Sequence, residues 1–71
     1  MVENKTNYPT ITKMAKEMIK EDASVSNKYL YDFFATMGDL EGLNPEKVHH
    51  SVRLALWAFI DKGERANYKY V

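Results

Sequence analysis

The stretch Leu54-Ala55-Leu56-Trp57-Ala58-Phe59-Ile60 decides the fold, because seven consecutive apolar residues stand inside a segment with helix boundaries on both sides. Successive residues of a helix turn by about 100°, so seven apolar residues in a row cover its whole circumference. A helix at the surface of a domain needs only one apolar stripe. A chain of 71 residues has little interior to enclose such a helix, so we expect part of it to meet a second chain or another partner.

The boundaries of this helix are Asn44 and Gly63. The Asn44 side chain can cap the helix, Pro45 suits its first position, and Glu46 complements the positive end of the helix dipole. Glycine is favoured just past a helix end. We therefore predict a helix over residues 45–62. Its core stripe consists of Val48, Val52, Ala55, Leu56, Phe59 and Ile60.

Two shorter helices precede it. Apolar residues at helical spacing predict one over residues 10–22, with Thr10 as its N-cap. A second is predicted over residues 26–37, with Ser26 as its N-cap and Gly38 as the left-handed residue at its end. Short connections favour antiparallel neighbours, so we predict an all-α fold, a small three-helix bundle in which the third helix is central. The apolar face of the second helix consists of Tyr29, Leu30, Phe33, Phe34 and Met37.

The remaining segments are assigned by composition. Residues 1–9 are polar and aperiodic and are predicted to form a flexible N-terminal arm. Residues 10–63 are predicted to form a single helical domain. Residues 64–71 are predicted to form a C-terminal tail whose conformation the sequence leaves open. Leu40 and Leu43, in the connection before the third helix, are expected to fold back onto the core. A domain this small buries only about 60% of its unfolded surface, so oligomerisation is a common source of added stability.

Composition narrows the classes of function. The chain has no cysteine, which excludes disulfides, thiol chemistry and thiolate metal sites. Ten basic and ten acidic residues give a net charge of zero, which disfavours nucleic acid as a partner and leaves it open. No stretch approaches the roughly 20 apolar residues of a membrane span, and the first ten residues lack the apolar centre of a secretion signal, so we predict a cytoplasmic protein with no membrane partner. The Lys-, Asn- and Tyr-rich composition suits a small accessory protein of a phage or mobile element.

Metal binding and catalysis find little support. Glu46, His49 and His50 have the spacing of metal ligands on one helix face, but bundle metal centres need comparable ligands from other helices. Ser51 adjoins His50, yet adjacent helical residues do not face each other, so no activated nucleophile results. The three glycines are scattered and form no phosphate-binding loop. We predict a protein that is not an enzyme and has no catalytic residue, cofactor or metal.

The function that we predict is that of a small regulatory or adaptor module, acting by self-association and by binding another protein through an aromatic helical surface. Trp57 lies away from the predicted core stripe, and aromatic residues such as Trp are enriched at interface centres. The expected partner is a second copy, giving a homodimer, another protein, or both. The predicted interface residues are Trp57, Leu54, Tyr31 and Arg53.

The alternative is a DNA-binding regulator of the helix-turn-helix type. A Val25-Ser26 turn leads into the second helix, whose Asn27, Lys28 and Tyr31 would then face the major groove. The distance from Ala15 to this turn is about twice that of the compact motif.

Overall fold

The computed structural model describes residues 6–71 and places three α-helices and no strand in that part of the chain. The helices are α1 (Tyr8–Glu21), α2 (Asn27–Leu40) and α3 (Pro45–Asp61). Both α1 and α2 pack closely against α3 and contact each other far less. This confirms the predicted all-α fold and the central position of the third helix. Of the predicted N-terminal arm, residues 1–5 lie outside the described residues.

Helix α1 begins two residues earlier than predicted. Asn7 is its N-cap, with Oδ1 accepting hydrogen bonds from the backbone N–H and the hydroxyl of Thr10 at 2.9 and 2.6 Å. The prediction of Thr10 as the cap is therefore wrong, because Thr10 serves as the donor to the cap. Tyr8 and Pro9, predicted as part of the arm, lie in the first turn, where proline's missing N–H costs no helical hydrogen bond.

The predicted N-caps of the other two helices are confirmed. Ser26 Oγ accepts a hydrogen bond from the Tyr29 N–H at 3.0 Å. Asn44 Oδ1 accepts from the Glu46 N–H at 2.9 Å, and Pro45 is the first residue of α3. Both caps satisfy amide groups that the first turn of a helix leaves without an intrahelical partner.

Helix α2 runs past Gly38, so the prediction that Gly38 ends it is wrong. Gly38 is buried inside the helix, and a Cβ atom there would lie 2.8 Å from Cγ2 of Val48. The glycine therefore lets the backbone of α2 approach α3. The left-handed residue is Gly42 (φ 74°), after which the Leu43 N–H donates to the Gly38 carbonyl at 2.8 Å. Gly63 (φ 79°) ends α3 in the same way, as predicted.

The core lies where α1 and α2 meet α3. All of the predicted stripe of α3 faces it, with Ile60 partly buried and the other five members buried. Leu43 packs against this core as expected, but Leu40 is 82% exposed, because α2 extends to Leu40 and turns it outward. Within residues 6–71, no helix is both long enough and apolar enough to cross a membrane. The buried core residues are Ile11, Ala15, Ile19, Leu30, Tyr31, Phe34, Val48, Val52, Ala55, Leu56 and Phe59.

The C-terminal tail, residues 64–71, forms neither helix nor strand and folds back along α2. The backbone N–H of Lys28 donates to the Val71 carbonyl at 3.1 Å. The Tyr70 hydroxyl donates to Asp32 Oδ1 at 2.5 Å. These contacts hold the tail against the first half of α2.

Candidate protein interface on helix α3

The side of α3 opposite its core stripe carries a row of exposed residues, the outer stripe, made up of Lys47, His50, Leu54, Trp57 and Asp61. They recur at alternating steps of three and four residues, which keeps them on one face of a helix. At the centre of the row, Leu54 is 49% exposed and Trp57 is 52% exposed. The outer stripe thus has an apolar centre and charged ends, and two of the four predicted interface residues, Leu54 and Trp57, lie on it.

A groove runs along one side of the outer stripe, between α3 and the first turns of α1. It encloses about 560 Å³, and its lining is mostly apolar. The Thr12 hydroxyl donates to the Ser51 carbonyl at 2.9 Å, and this hydrogen bond joins α1 to α3 along the groove. The groove is lined by Tyr8, Pro9, Thr12, Lys47, His50, Ser51 and Leu54.

The C-terminal tail forms the other side. The ring of Tyr68 lies 5.4 Å from that of Trp57, centroid to centroid, and the Arg53 guanidinium lies 4.3 Å from the centre of the Tyr68 ring. This geometry is a cation–π contact beside an aromatic pair. Arg53 therefore lies at the edge of the predicted interface. Tyr68 was missed at the sequence level, because the tail has no periodicity that assigns its side chains to a face.

Tyr31 is the predicted interface residue that the structure places elsewhere. It is 4% exposed, its hydroxyl donates to the Tyr68 carbonyl at 2.7 Å, and its ring stacks on His49 at 4.3 Å. Burial raises the pKa of Tyr31, and the charge of Arg53 opposes that rise. The prediction that Tyr31 is free for a partner is wrong, because the tail already covers it. Tyr31 instead supports the backbone that presents Tyr68.

The three residues of the DNA-binding alternative do not share an open face. Asn27 is 6% exposed and its side chain is hydrogen-bonded to the tail. Tyr31 is buried, as described above. Lys28 is exposed, but its Nζ atom lies 3.4 Å from the carboxylate of Asp32. In the structure, the C-terminal tail attaches to this turn of α2.

A second exposed aromatic pair lies on α2. Tyr29 is 52% exposed and its ring stacks on that of Phe33 with centroids 6.0 Å apart. The sequence placed both in the apolar face of this helix together with Leu30 and Phe34. The structure buries Leu30 and Phe34 completely and leaves Tyr29 and Phe33 at the exposed edge, because the face is wider than the contact with α3.

The residues considered for metal binding and catalysis point to different surroundings. His49 stacks on Tyr31, whereas His50 lines the groove beside α1. Among residues 6–71, no group of three or more His, Cys, Asp or Glu side chains is arranged to hold a metal ion. The Ser51 hydroxyl donates to the Lys47 carbonyl of its own helix at 2.9 Å.

The arrangement on α3 has the composition of a protein contact surface. Aromatic residues and Arg are enriched at such interfaces, and their rims are polar. Here Trp57 and Leu54 form the centre, Arg53 and Tyr68 border it, and charged residues stand at both ends of the outer stripe. Comparison with known protein families, curated proteins and solved structures gave no match to this chain.

Proposed function

We propose that this chain is a small non-enzymatic regulatory or adaptor module that acts by self-association and protein–protein binding through the outer stripe of α3. The observation that carries the proposal is the half-exposed state of Trp57 and Leu54 on a helix whose opposite side already fills the core. An enclosed aromatic side chain removes about 150–250 Å² from water, so a partner covering Trp57 gains substantial apolar burial.

The surroundings of Trp57 support this role. The tail holds Tyr68 against the indole, and the Arg53 guanidinium lies over the Tyr68 ring. A side chain that is already ordered loses less conformational entropy when a partner binds. We also propose a cytoplasmic location, because the cysteine-free sequence needs no oxidising compartment for disulfides.

The DNA-binding alternative loses its structural support. Asn27 and Tyr31, two of its three contact residues, are buried by the tail, and Lys28 stands beside an acidic side chain. A helix that lies in the major groove of DNA needs several side chains that are free to reach the base edges.

Sedimentation equilibrium over a hundredfold range of protein concentration tests the proposal. We expect the wild-type chain to associate and Trp57→Ala to weaken association by about 30-fold, the scale of a 2 kcal/mol hot spot. Circular dichroism should show unchanged helicity. The matched control is Tyr29→Ala, which removes an equally exposed aromatic from α2 and should leave association unchanged.

Two results would contradict the proposal. One is a wild-type chain that stays monomeric throughout the concentration range and captures no other protein through Trp57. The other is equal association of the wild type and Trp57→Ala.

A further inference from the structure

The ends of the outer stripe carry opposite charges at matched distances from Leu54. Lys47 lies seven residues before Leu54 and Asp61 lies seven residues after it. Reversing the direction of the helix therefore exchanges the basic residue at one end of the outer stripe with the acidic residue at the other.

These charges are available to a partner. Among residues 6–71, the one salt bridge joins Lys28 and Asp32, so it involves neither end of the outer stripe. Lys47 and Asp61 are both exposed. Lys47 Nζ lies 5.7 Å from the centre of the Tyr8 ring, and both residues line the groove.

We propose that the outer stripe binds a second copy of this chain, with the two α3 helices antiparallel and a twofold axis passing near Leu54. This inference rests on the proposed function and specifies its partner and orientation. In this arrangement Lys47 faces Asp61 of the partner subunit. The symmetry of a twofold interface makes this pair occur twice.

The apolar centre fits the same arrangement. Leu54 meets Leu54 of the partner subunit at the axis. His50 lies four residues before Leu54 and Trp57 lies three residues after it, so His50 of one copy lies opposite Trp57 of the partner subunit. Alternating steps of three and four residues also form the seam of paired helices in coiled coils. The Trp57 indole of each copy is thereby covered by the partner's α3.

Charge selects the antiparallel direction. A parallel pair would set Lys47 against Lys47 of the partner subunit and Asp61 against Asp61 of the partner subunit, and like charges on neighbouring helices repel. The antiparallel pair also brings the positive end of each helix dipole near the negative end of the other. Each copy contributes one face of a single helix, so we expect a dissociation constant on the order of micromolar.

Charge reversal tests the orientation. Lys47→Glu and Asp61→Lys should each weaken self-association at low salt by roughly 5- to 30-fold, because each change turns two attractive pairs into two repulsive ones. An equimolar mixture of the two variants should regain wild-type affinity, because the heterodimer has opposite charges at both ends. The double variant K47E/D61K should regain it as well. High salt should remove the differences by screening.

The matched controls are Lys13→Glu and Glu17→Lys, which make the same charge changes at exposed positions of α1. We expect both to associate like the wild type. Circular dichroism checks that every variant is folded. A second measurement uses the absence of native cysteine: a short bismaleimide should link Lys47→Cys to Asp61→Cys in a mixture more efficiently than it links either variant to itself.

The outcomes separate this inference from the proposed function. If the wild type associates through Trp57 but the single reversals are neutral, or their mixture stays weak, the antiparallel pairing is overturned and the proposed function stands. If the wild type stays monomeric, the antiparallel pairing is overturned, and the proposed function is overturned with it when the chain also captures no other protein through Trp57.

Discussion

Arg65 and Asn27 form a hydrogen-bonded clamp that joins the C-terminal tail to the first turn of α2. Arg65 Nε and Nη2 donate to Asn27 Oδ1 at 3.1 and 2.8 Å, and the guanidinium also donates to two backbone carbonyls of the loop between α1 and α2. Asn27 Nδ2 in turn donates to the carbonyls of Asn67 and Lys69 at 2.8 and 2.9 Å. One buried amide therefore positions the tail that carries Tyr68.

Replacing Asn27 by Ala should release this clamp. We expect Asn27→Ala to lower the free energy of unfolding by about 1–3 kcal/mol, because it leaves Arg65 and two tail carbonyls without their buried partner. Urea unfolding at neutral pH measures the change. The control Thr36→Ala, at an exposed position of α2, should stay within about 0.5 kcal/mol of the wild type. Equal stability of Asn27→Ala and the wild type would show that the clamp does not hold the tail in solution.

Replacing Gly38 by Ala tests the close approach of α2 to α3. Alanine is the better helix former by about 1 kcal/mol, but its Cβ would lie 2.8 Å from Val48 Cγ2. We expect the clash to prevail and Gly38→Ala to destabilise the protein by about 1–3 kcal/mol, the usual cost of overpacking.

A double-mutant cycle with Val48→Ala checks this cause. Val48→Ala alone should be destabilising because it leaves a cavity in the core. Once Val48 has been shortened, Gly38→Ala should become neutral or stabilising, which gives a favourable coupling energy. A stabilising effect of Gly38→Ala with Val48 intact would contradict the packing argument.

The hydrogen bond between Tyr70 and Asp32 predicts a defined pH dependence. The Tyr70 hydroxyl holds the pKa of Asp32 below its ordinary value, with a smaller contribution from Lys28, and the Asp32 carboxylate raises the pKa of Tyr70. The Asp32 contribution to stability is therefore present above about pH 4 and is lost as the pH falls through the lowered pKa. The Tyr70 contribution is present below about pH 10 and is lost as the pH rises through the raised pKa.

Tyr70→Phe removes the Tyr70 contribution and the larger part of the Asp32 contribution, leaving only the smaller effect of Lys28 on Asp32. We expect this variant to be less stable than the wild type by a nearly constant amount between about pH 5 and pH 9, with the difference shrinking on either side of that range. Urea unfolding across the pH range measures it, and Tyr29→Phe on the exposed edge of α2 is the control. A stability difference that stays the same at every pH would rule out this hydrogen bond as its source.

Local sequence was sufficient to predict the three helices, three of their boundaries and the centre of the proposed interface, whereas it placed the start of α1 two residues too late. Ser26, Asn44 and Gly63 act within one turn of their own position, so the sequence alone locates the helix ends that they form. The core stripe of α3 follows from its spacing. The core stripe occupies only part of the circumference of α3, although apolar residues cover all of it. The outward position of Leu54 and Trp57 could therefore also be predicted.

Tertiary contacts decided what the sequence left open. Gly38 lies inside α2 because α3 brings Val48 against it, and Tyr31 is covered because the tail returns along α2. The same return puts Tyr68 beside Trp57 and completes the candidate interface. Periodicity and the boundaries at Ser26, Asn44 and Gly63 are set by neighbours a few residues away, so the sequence by itself determined them. The positions of Gly38, Tyr31 and Tyr68 depend on residues 10 to 40 positions distant along the chain, whose proximity exists only after folding.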